Sequence, residues 1–272
     1  MPATQVAETL ALQLKGLKSF YLGEIISEFR GLESYASSSI NVWRGKVVPL
    51  VKEAQATAAE LTNAAVDIMF YEMFGEDCLF DHPALEAVTG PAIRNGPSVQ
   101  DVYDRALKPV WQGLGSGQSL DQSVEHGVSR LEEMFNLDIE RVADHVQIER
   151  FANENRIIGH RRTLSGLHNC ALCILASTQL YHKSELKPIH PNCKCRTVPV
   201  LSSDKFDDSL SQSLIDAVHR SVSERFGVSD KAARLIDYRK ILLNRTHGEY
   251  GPVLTFRSHK FTGPSALHAP GE

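Results

Sequence analysis

Four of the five cysteines in this 272-residue chain lie within 26 positions, together with a histidine. Two of them form the segment Cys170-Ala-Leu-Cys173, and the other two end the segment His190-Pro-Asn-Cys193-Lys-Cys195. A C-x2-C pair places two sulfur atoms on one tight turn, and tetrahedral zinc takes four thiolate or imidazole ligands. These five side chains therefore predict a closed structural zinc site, and zinc is the cofactor that we expect.

The spacing does not decide which four of the five residues bind the metal. Cys170 and Cys173 supply one pair. His190 with Cys193 repeats the spacing of that pair, whereas Cys193 with Cys195 completes an all-thiolate site, and zinc accepts both ligand sets. Because a closed site leaves no position for water or substrate, we predict binding and no catalytic residue.

Three other kinds of cysteine chemistry compete with a zinc site. Disulfides are rare in the cytosol, where we expect this chain because Met1 to Lys15 is polar rather than an apolar signal segment. A thioredoxin-like C-x-x-C needs a strand before it within a βαβ unit, but Arg156 to Asn169 looks basic and loop-like. A Cys/His hydrolase needs one activated cysteine rather than thiols at metal-ligand spacing.

The charge pattern bears on nucleic-acid binding. The net charge of −4 provides no general attraction for phosphate. Between residues 156 and 196, however, the sequence contains seven Lys or Arg residues and only one acidic residue, Glu185. Such a run either contacts DNA phosphates or forms a solvated basic surface. The candidate DNA-contacting residues are Arg156, Arg161, Arg162, Lys183, Lys187, Lys194 and Arg196.

The elements that must position these residues are mostly helices. Apolar residues spaced by three and four predict three long helical stripes, and Asn136 marks an expected interruption of the third. The sequence also predicts helix N-caps at Ser98 and Ser119. The three stripes comprise Val6, Leu10, Leu14, Leu17, Tyr21, Ile25 and Phe29; Trp43, Val47, Leu50, Ala54, Ala58, Leu61, Ala65 and Ile68; and Leu120, Val124, Val128, Leu131, Phe135, Ile139, Val142 and Val146.

The second half of the chain lacks the long apolar stripes of the first half. The segment from residue 193 to 201 is typical of a short strand leaving the metal site, Phe206 to Phe226 has helical spacing, and Pro252 to Phe256 favours a strand. We therefore predict an α+β fold, mainly α: a long-helix bundle over 1–152, a small zinc-pinned α/β module over 153–202, and a C-terminal extension over 203–272. With 42% apolar residues but no apolar run of 18, we expect a folded protein without a membrane span.

The cysteine segment resembles a known family. The ordered string of Cys170-x2-Cys173, a spacer with Tyr181 and Leu186-Lys-Pro-Ile-His190, then His-Pro-Asn-Cys-x-Cys and a Val-Pro-Val exit is similar to the phage Mu protein F-like minor head proteins, the head-morphogenesis family of tailed phages, and most of all to their actinobacteriophage members. The resemblance covers about residues 153 to 200.

The resemblance implies a minor capsid protein in the virion head, assembled in the host cytoplasm and bound at or near the portal. Its implied partners are the portal or major capsid protein, with several copies around the portal, and packaged DNA through the basic residues. Some relatives carry an enzymatic domain or are labelled capsid maturation proteases, but no protease signature is present. Three alternatives remain: a zinc-dependent hydrolase or nuclease that uses His190, His160, His168 or His182, a capsid maturation protease, and a cellular zinc-containing nucleic-acid adaptor.

Overall fold

The structure is a computed structural model that describes residues 2–32, 34–76, 81–164, 180–185 and 195–204, the single residues Cys173 and Ser177, and the backbone of 242–247 and 251–256. The predicted helix from Phe206 to Phe226 lies outside the described residues. So does the tail after residue 256.

Two long helices begin the chain. Helix α1 (Ala3–Arg30) buries every residue of the first predicted stripe, so this prediction is confirmed. Helix α2 (Ser37–Phe74) begins after a short turn and ends at Gly75, whose φ of 70° is easily adopted only by glycine. The N–H of Gly75 donates to the carbonyl of Tyr71 at 2.8 Å, which closes the last turn of the helix.

The second predicted stripe is only partly correct. Ile68 is 48% exposed, and Leu50 and Leu61 are only half-buried. The buried face of α2 instead includes the polar residues Gln55 and Asn63. Both side chains turn inward because they form hydrogen bonds with buried charged groups on the last long helix.

Three short helices lead to that last long helix. They are α3 (Leu85–Val88), α4 (Val99–Tyr103) and α5 (Leu107–Gly115), with 3-10 turns at Ala92–Arg94 and Asp104–Ala106. The predicted cap at Ser98 is confirmed, since its hydroxyl accepts from the N–H of Asp101.

Helix α6 (Leu120–Asn153) begins with the predicted capping box at Ser119. It runs without a break, so the expected interruption at Asn136 is wrong. Met134, Phe135 and Leu137 around this position are all buried, and their packing keeps the helix continuous. Of the third predicted stripe, only Leu120 is exposed.

The three long helices form one bundle. Successive contacts show that α6 runs antiparallel to α1 and parallel to α2. The contacts that order α6 on α1 are Arg30–Glu125 and Lys18–Glu140, and those that order α6 on α2 are Gln55–Asp138 and Asn63–Arg150.

A three-stranded antiparallel sheet follows α6, with the strand order β2-β1-β3. Its strands are β1 (Ile157–Thr163), β2 (Tyr181–His182) and β3 (Arg196–Leu201). Strand β3 confirms the predicted strand. The loop expected from Arg156 to Asn169 is wrong over Ile157–Thr163, which form β1. Pro199 fits on β3 because this is an edge strand. Gly159 is required on β1, since a Cβ atom there would lie 2.4 Å from the carbonyl oxygen of Tyr181.

The hydrophobic core is continuous between bundle and sheet. Ile157 of β1 and Val198 of β3 belong to the same buried apolar cluster as the helices. The architecture is therefore α+β and mainly α, as predicted. The predicted module boundary after residue 152 falls at the last turn of α6.

A separate antiparallel pair lies near the end of the chain. It comprises β4 (Leu242–His247) and β5 (Gly251–Phe256), of which only β5 was predicted. Within the described ranges, no helix combines the length and the apolar character needed to cross a membrane.

Candidate metal centre

Two of the five predicted metal ligands lie in the described part of the chain. Cys195 has no exposed surface and directly precedes β3, and Cys173 is 2% exposed. Neither forms a disulfide. The structure places Cys195 at the edge of the sheet, whereas Cys170, His190 and Cys193 lie outside the described residues. Among the residues that are described, no three His, Cys, Asp or Glu side chains are placed to hold a metal ion.

The sulfur of Cys195 contacts a buried guanidinium. Arg162 on β1 is 2% exposed, and its Nη1 donates to Cys195 Sγ at 3.2 Å. Its Nε donates to the hydroxyl of Tyr181 at 3.2 Å, and the guanidinium carbon lies 5.4 Å from the centre of that ring. Strands β1 and β2 therefore hold Arg162 against Cys195, the residue directly before β3.

Tyr181 also stacks on a buried histidine. The ring centroids of Tyr181 and His160 lie 5.4 Å apart with an interplanar angle of 14°, and the Phe151 ring of α6 lies 6.4 Å from His160 at a tilt of 43°. His160 has no exposed surface. The imidazole is thus part of an aromatic stack between α6 and β2, and water or a substrate from solvent does not reach it. This placement disfavours His160 as a catalytic residue.

The residue after Cys195 binds the helical bundle. Arg196 forms a buried salt bridge with Glu140 of α6, with Nη2 at 3.0 Å from Oε1. The same carboxylate accepts from Lys18 Nζ of α1 at 2.8 Å. One buried glutamate therefore joins α1, α6 and the start of β3. In addition, Gln147 Nε2 donates to the carbonyl of Thr197 at 3.2 Å, so the backbone next to Cys195 is fixed at two points.

The candidate DNA-contacting residues differ in their exposure to solvent. Arg162 and Arg196 are buried, so the prediction that they contact phosphate does not hold for these two. Arg161 is exposed on β1, and Lys183 is half-buried with Nζ at 3.4 Å from the carbonyl of Glu154. Lys187 and Lys194 lie outside the described residues.

Arg156 is exposed but is already paired with two carboxylates. It donates to Glu154 at 2.8 Å and to Glu76 at 2.6 Å, and its guanidinium lies 3.6 Å from the centre of the Phe74 ring. Hydrogen bonding to Glu154 and then to Glu76 raises the pKa of Arg156, and the same contact lowers the pKa of Glu154. Binding to phosphate would compete with both carboxylates.

Several charged residues of α6 are buried, which the apolar stripe of this helix did not predict. Asp138 accepts from Arg94, from Tyr103 Oη at 2.9 Å and from Gln55 Nε2 at 3.3 Å. Arg150 donates to Asp67 at 2.5 Å. Between residues 138 and 150, charged residues lie next to the apolar stripe on both of its sides, and this pattern could have indicated buried charges. In an ordinary amphipathic helix those positions would be solvated.

Comparison with protein-family models, with curated proteins and with solved structures finds no match to this chain. The family resemblance therefore rests on the ordered cysteine and histidine residues.

The surroundings of Cys195 fit a metal-binding thiolate. Zinc binds the deprotonated sulfur, and an N–H donor to that sulfur offsets its negative charge. Arg162 provides such a donor to Cys195. Cys170 and Cys173 lie between β1 and β2 in sequence, and Cys193 lies just before β3. A shared ion would therefore tie together the two connections of this sheet.

Proposed function

We propose that this chain is a minor capsid protein of a tailed phage, a head-morphogenesis protein bound at or near the portal inside the head, with a structural zinc site. The observation that carries this proposal is the ordered string from Cys170 to Cys195, with its prolines and the Val-Pro-Val exit. In this proposal the protein acts by binding, and the zinc gives the cysteine segment a fixed shape.

The zinc would supply local stability rather than the fold as a whole. The bundle has its own apolar core, whereas the long connection between β1 and β3 contains only the two-residue strand β2 among the described elements. Closing such a connection costs conformational entropy, and a four-ligand zinc site offsets that cost. Cys170, Cys173 and two of His190, Cys193 and Cys195 would hold the ion.

An exposed stripe on α1 supports contact with another head protein. Leu12 is 71% exposed and Phe20 is 65% exposed, and both lie on one helical face with Gly16 between them. Large apolar side chains in one stripe favour packing against a partner. The portal or the major capsid protein is the partner that we propose. The residues proposed to contact packaged DNA are Arg161, Lys183, Lys187 and Lys194.

The proposal is tested by the composition of purified particles. We expect mass spectrometry to find this chain in few copies per head, and Phe20→Asp to reduce that number while the isolated protein stays folded. Particles with the Cys170→Ser variant should lose infectivity. Infectious particles that lack the chain would contradict the proposal.

Metal analysis separates the proposal from a zinc-dependent hydrolase or nuclease. One zinc ion per chain with four protein ligands is expected of a structural site, whereas an exchangeable water on the metal would favour an enzyme. DNA binding by the purified chain should weaken steeply with salt, because phosphate contacts release counterions. Salt-insensitive or absent DNA binding would remove the DNA contact from the proposal.

A further inference from the structure

Arg162 is a buried cation whose side chain contacts one of the candidate metal ligands, Cys195. It lies on β1 opposite Thr197 of β3, two residues beyond Cys195. Its side chain crosses between the strands and ends with Nη1 at 3.2 Å from Cys195 Sγ. The second basic residue at this edge, Arg196, is directed to Glu140 instead. The two arginines therefore have different roles, although they lie on paired strands.

The contact has a direct physical meaning for a metal-bound sulfur. A guanidinium that is removed from water is stabilised when an anionic group accepts its hydrogen bonds. A zinc-bound cysteine keeps much of its negative charge, and donors behind the ligand orient it and adjust its strength as a ligand. Tyr181 accepts from Nε and holds the guanidinium plane, so that Nη1 stays directed at the sulfur.

We infer that Arg162 is a positioning residue of the metal site and that Cys195 is one of the four ligands. This inference rests on the zinc site of the proposed function. It reduces the open choice of ligands, because with Cys170, Cys173 and Cys195 bound, His190 and Cys193 compete for one place. Arg162 does not touch the metal. It acts through the Cys195 sulfur.

The test uses the full-length chain loaded with zinc and, separately, with cobalt. Cobalt reports each bound thiolate through a sulfur-to-metal charge-transfer band. The variants are Arg162→Gln, Arg162→Lys and the matched control Arg161→Gln, which changes the exposed neighbour on the same strand. We expect Arg162→Gln to lose zinc to a chelator about 10- to 100-fold faster and to shift the charge-transfer band. Arg162→Lys should restore part of the zinc retention. Arg161→Gln should leave the zinc release rate and the charge-transfer band unchanged, whatever its effect on DNA binding.

Each outcome bears on a separate claim. A wild-type chain without zinc would contradict the proposed function itself. Zinc in the wild type with an unchanged release rate and band in Arg162→Gln would overturn the inference and leave the zinc site standing. If Arg162→Gln does not fold, the cobalt spectrum of Cys195→Ser tests whether Cys195 is a ligand. Loss of part of the charge-transfer intensity supports Cys195 as a ligand, and an unchanged band with one tightly held metal overturns it.

Discussion

The two ends of the helical bundle are stabilised in different ways. At the apolar end, where α1 ends and α6 begins, Phe29 packs on Trp43 with ring centroids 5.4 Å apart, and Gly127 of α6 lies against the Phe29 ring. At the ionic end, where α6 approaches the sheet, Asp138, Glu140 and Arg150 are all buried and hydrogen-bonded.

The two ends therefore contribute differently to the fold. Apolar packing is tolerant of orientation, so the apolar end holds the helices together without specifying much else. A buried carboxylate that must meet two cations allows few arrangements, so the ionic end fixes where β3 lies on α1 and α6. The candidate metal centre adjoins the ionic end, because Cys195 precedes Arg196 in the chain.

The largest effect is expected at Glu140. Glu140→Gln removes the charged carboxylate that Lys18 and Arg196 share, and Arg196 has only 5% of its side chain exposed. Breaking a buried ion pair by removing one partner costs about 3–5 kcal/mol. Urea denaturation should show this loss as a lower midpoint with the slope unchanged.

Glu125→Gln is the matched control on the same helix. Glu125 pairs with Arg30 at 2.8 Å, but their side chains are 59% and 52% exposed, so removing this charge should cost no more than about 1 kcal/mol. Equal losses for the two variants would mean that the ionic end does not depend on its buried charges.

The contrast also explains what the sequence could predict. The stripes of α1 and α6 follow an apolar period of 3.6 residues, which simple spacing detects. Strand β1 was missed because three of its four buried positions hold Gly159, His160 and Arg162, and only Ile157 is a large apolar residue, so no alternating pattern is visible. The contact between Arg162 and Cys195 depends on strand register, which no local pattern contains.

A second prediction concerns the apolar end. Gly127→Ala adds a Cβ atom that would lie 2.7 Å from the Phe29 ring and 2.8 Å from Val110, so these buried side chains or the helices that carry them must shift. Overpacking of this kind costs about 1–3 kcal/mol. The lower free energy of unfolding can be measured by thermal or urea denaturation.

The control for Gly127→Ala is Gly23→Ala on α1. Gly23 is exposed and has no atom within 4 Å of an added Cβ. Alanine there should stabilise the helix by about 0.5–1 kcal/mol. Stabilisation by both variants would show that the apolar end is packed more loosely than these contacts require.

A third prediction follows from His145 at the ionic end. Burial, with the nearby charge of Arg141, lowers the pKa of His145 from 6.5 to about 4. Between these values the unfolded chain binds a proton that the folded chain does not, so stability falls as the pH drops from about 6.5 towards 4. After allowance for its partial exposure, we expect a loss of about 2 kcal/mol.

His145→Gln removes this titration and should flatten the curve of unfolding free energy against pH between 6.5 and 4. The difference between wild type and variant therefore isolates the histidine. Parallel curves for the two proteins would contradict the lowered pKa.

The smallest effect is expected at Ser119, where α6 starts. Its hydroxyl accepts from the N–H of Gln122 at 3.2 Å, and the Gln122 side chain accepts from the N–H of Ser119 at 3.3 Å. Ser119→Ala removes one acceptor and should cost about 1 kcal/mol, whereas Ser119→Asp keeps an acceptor and should cost less. A loss at Ser119 as large as that at Glu140 would mean that α6 depends on local capping as much as on buried charge, and the distinction between the two ends would fail.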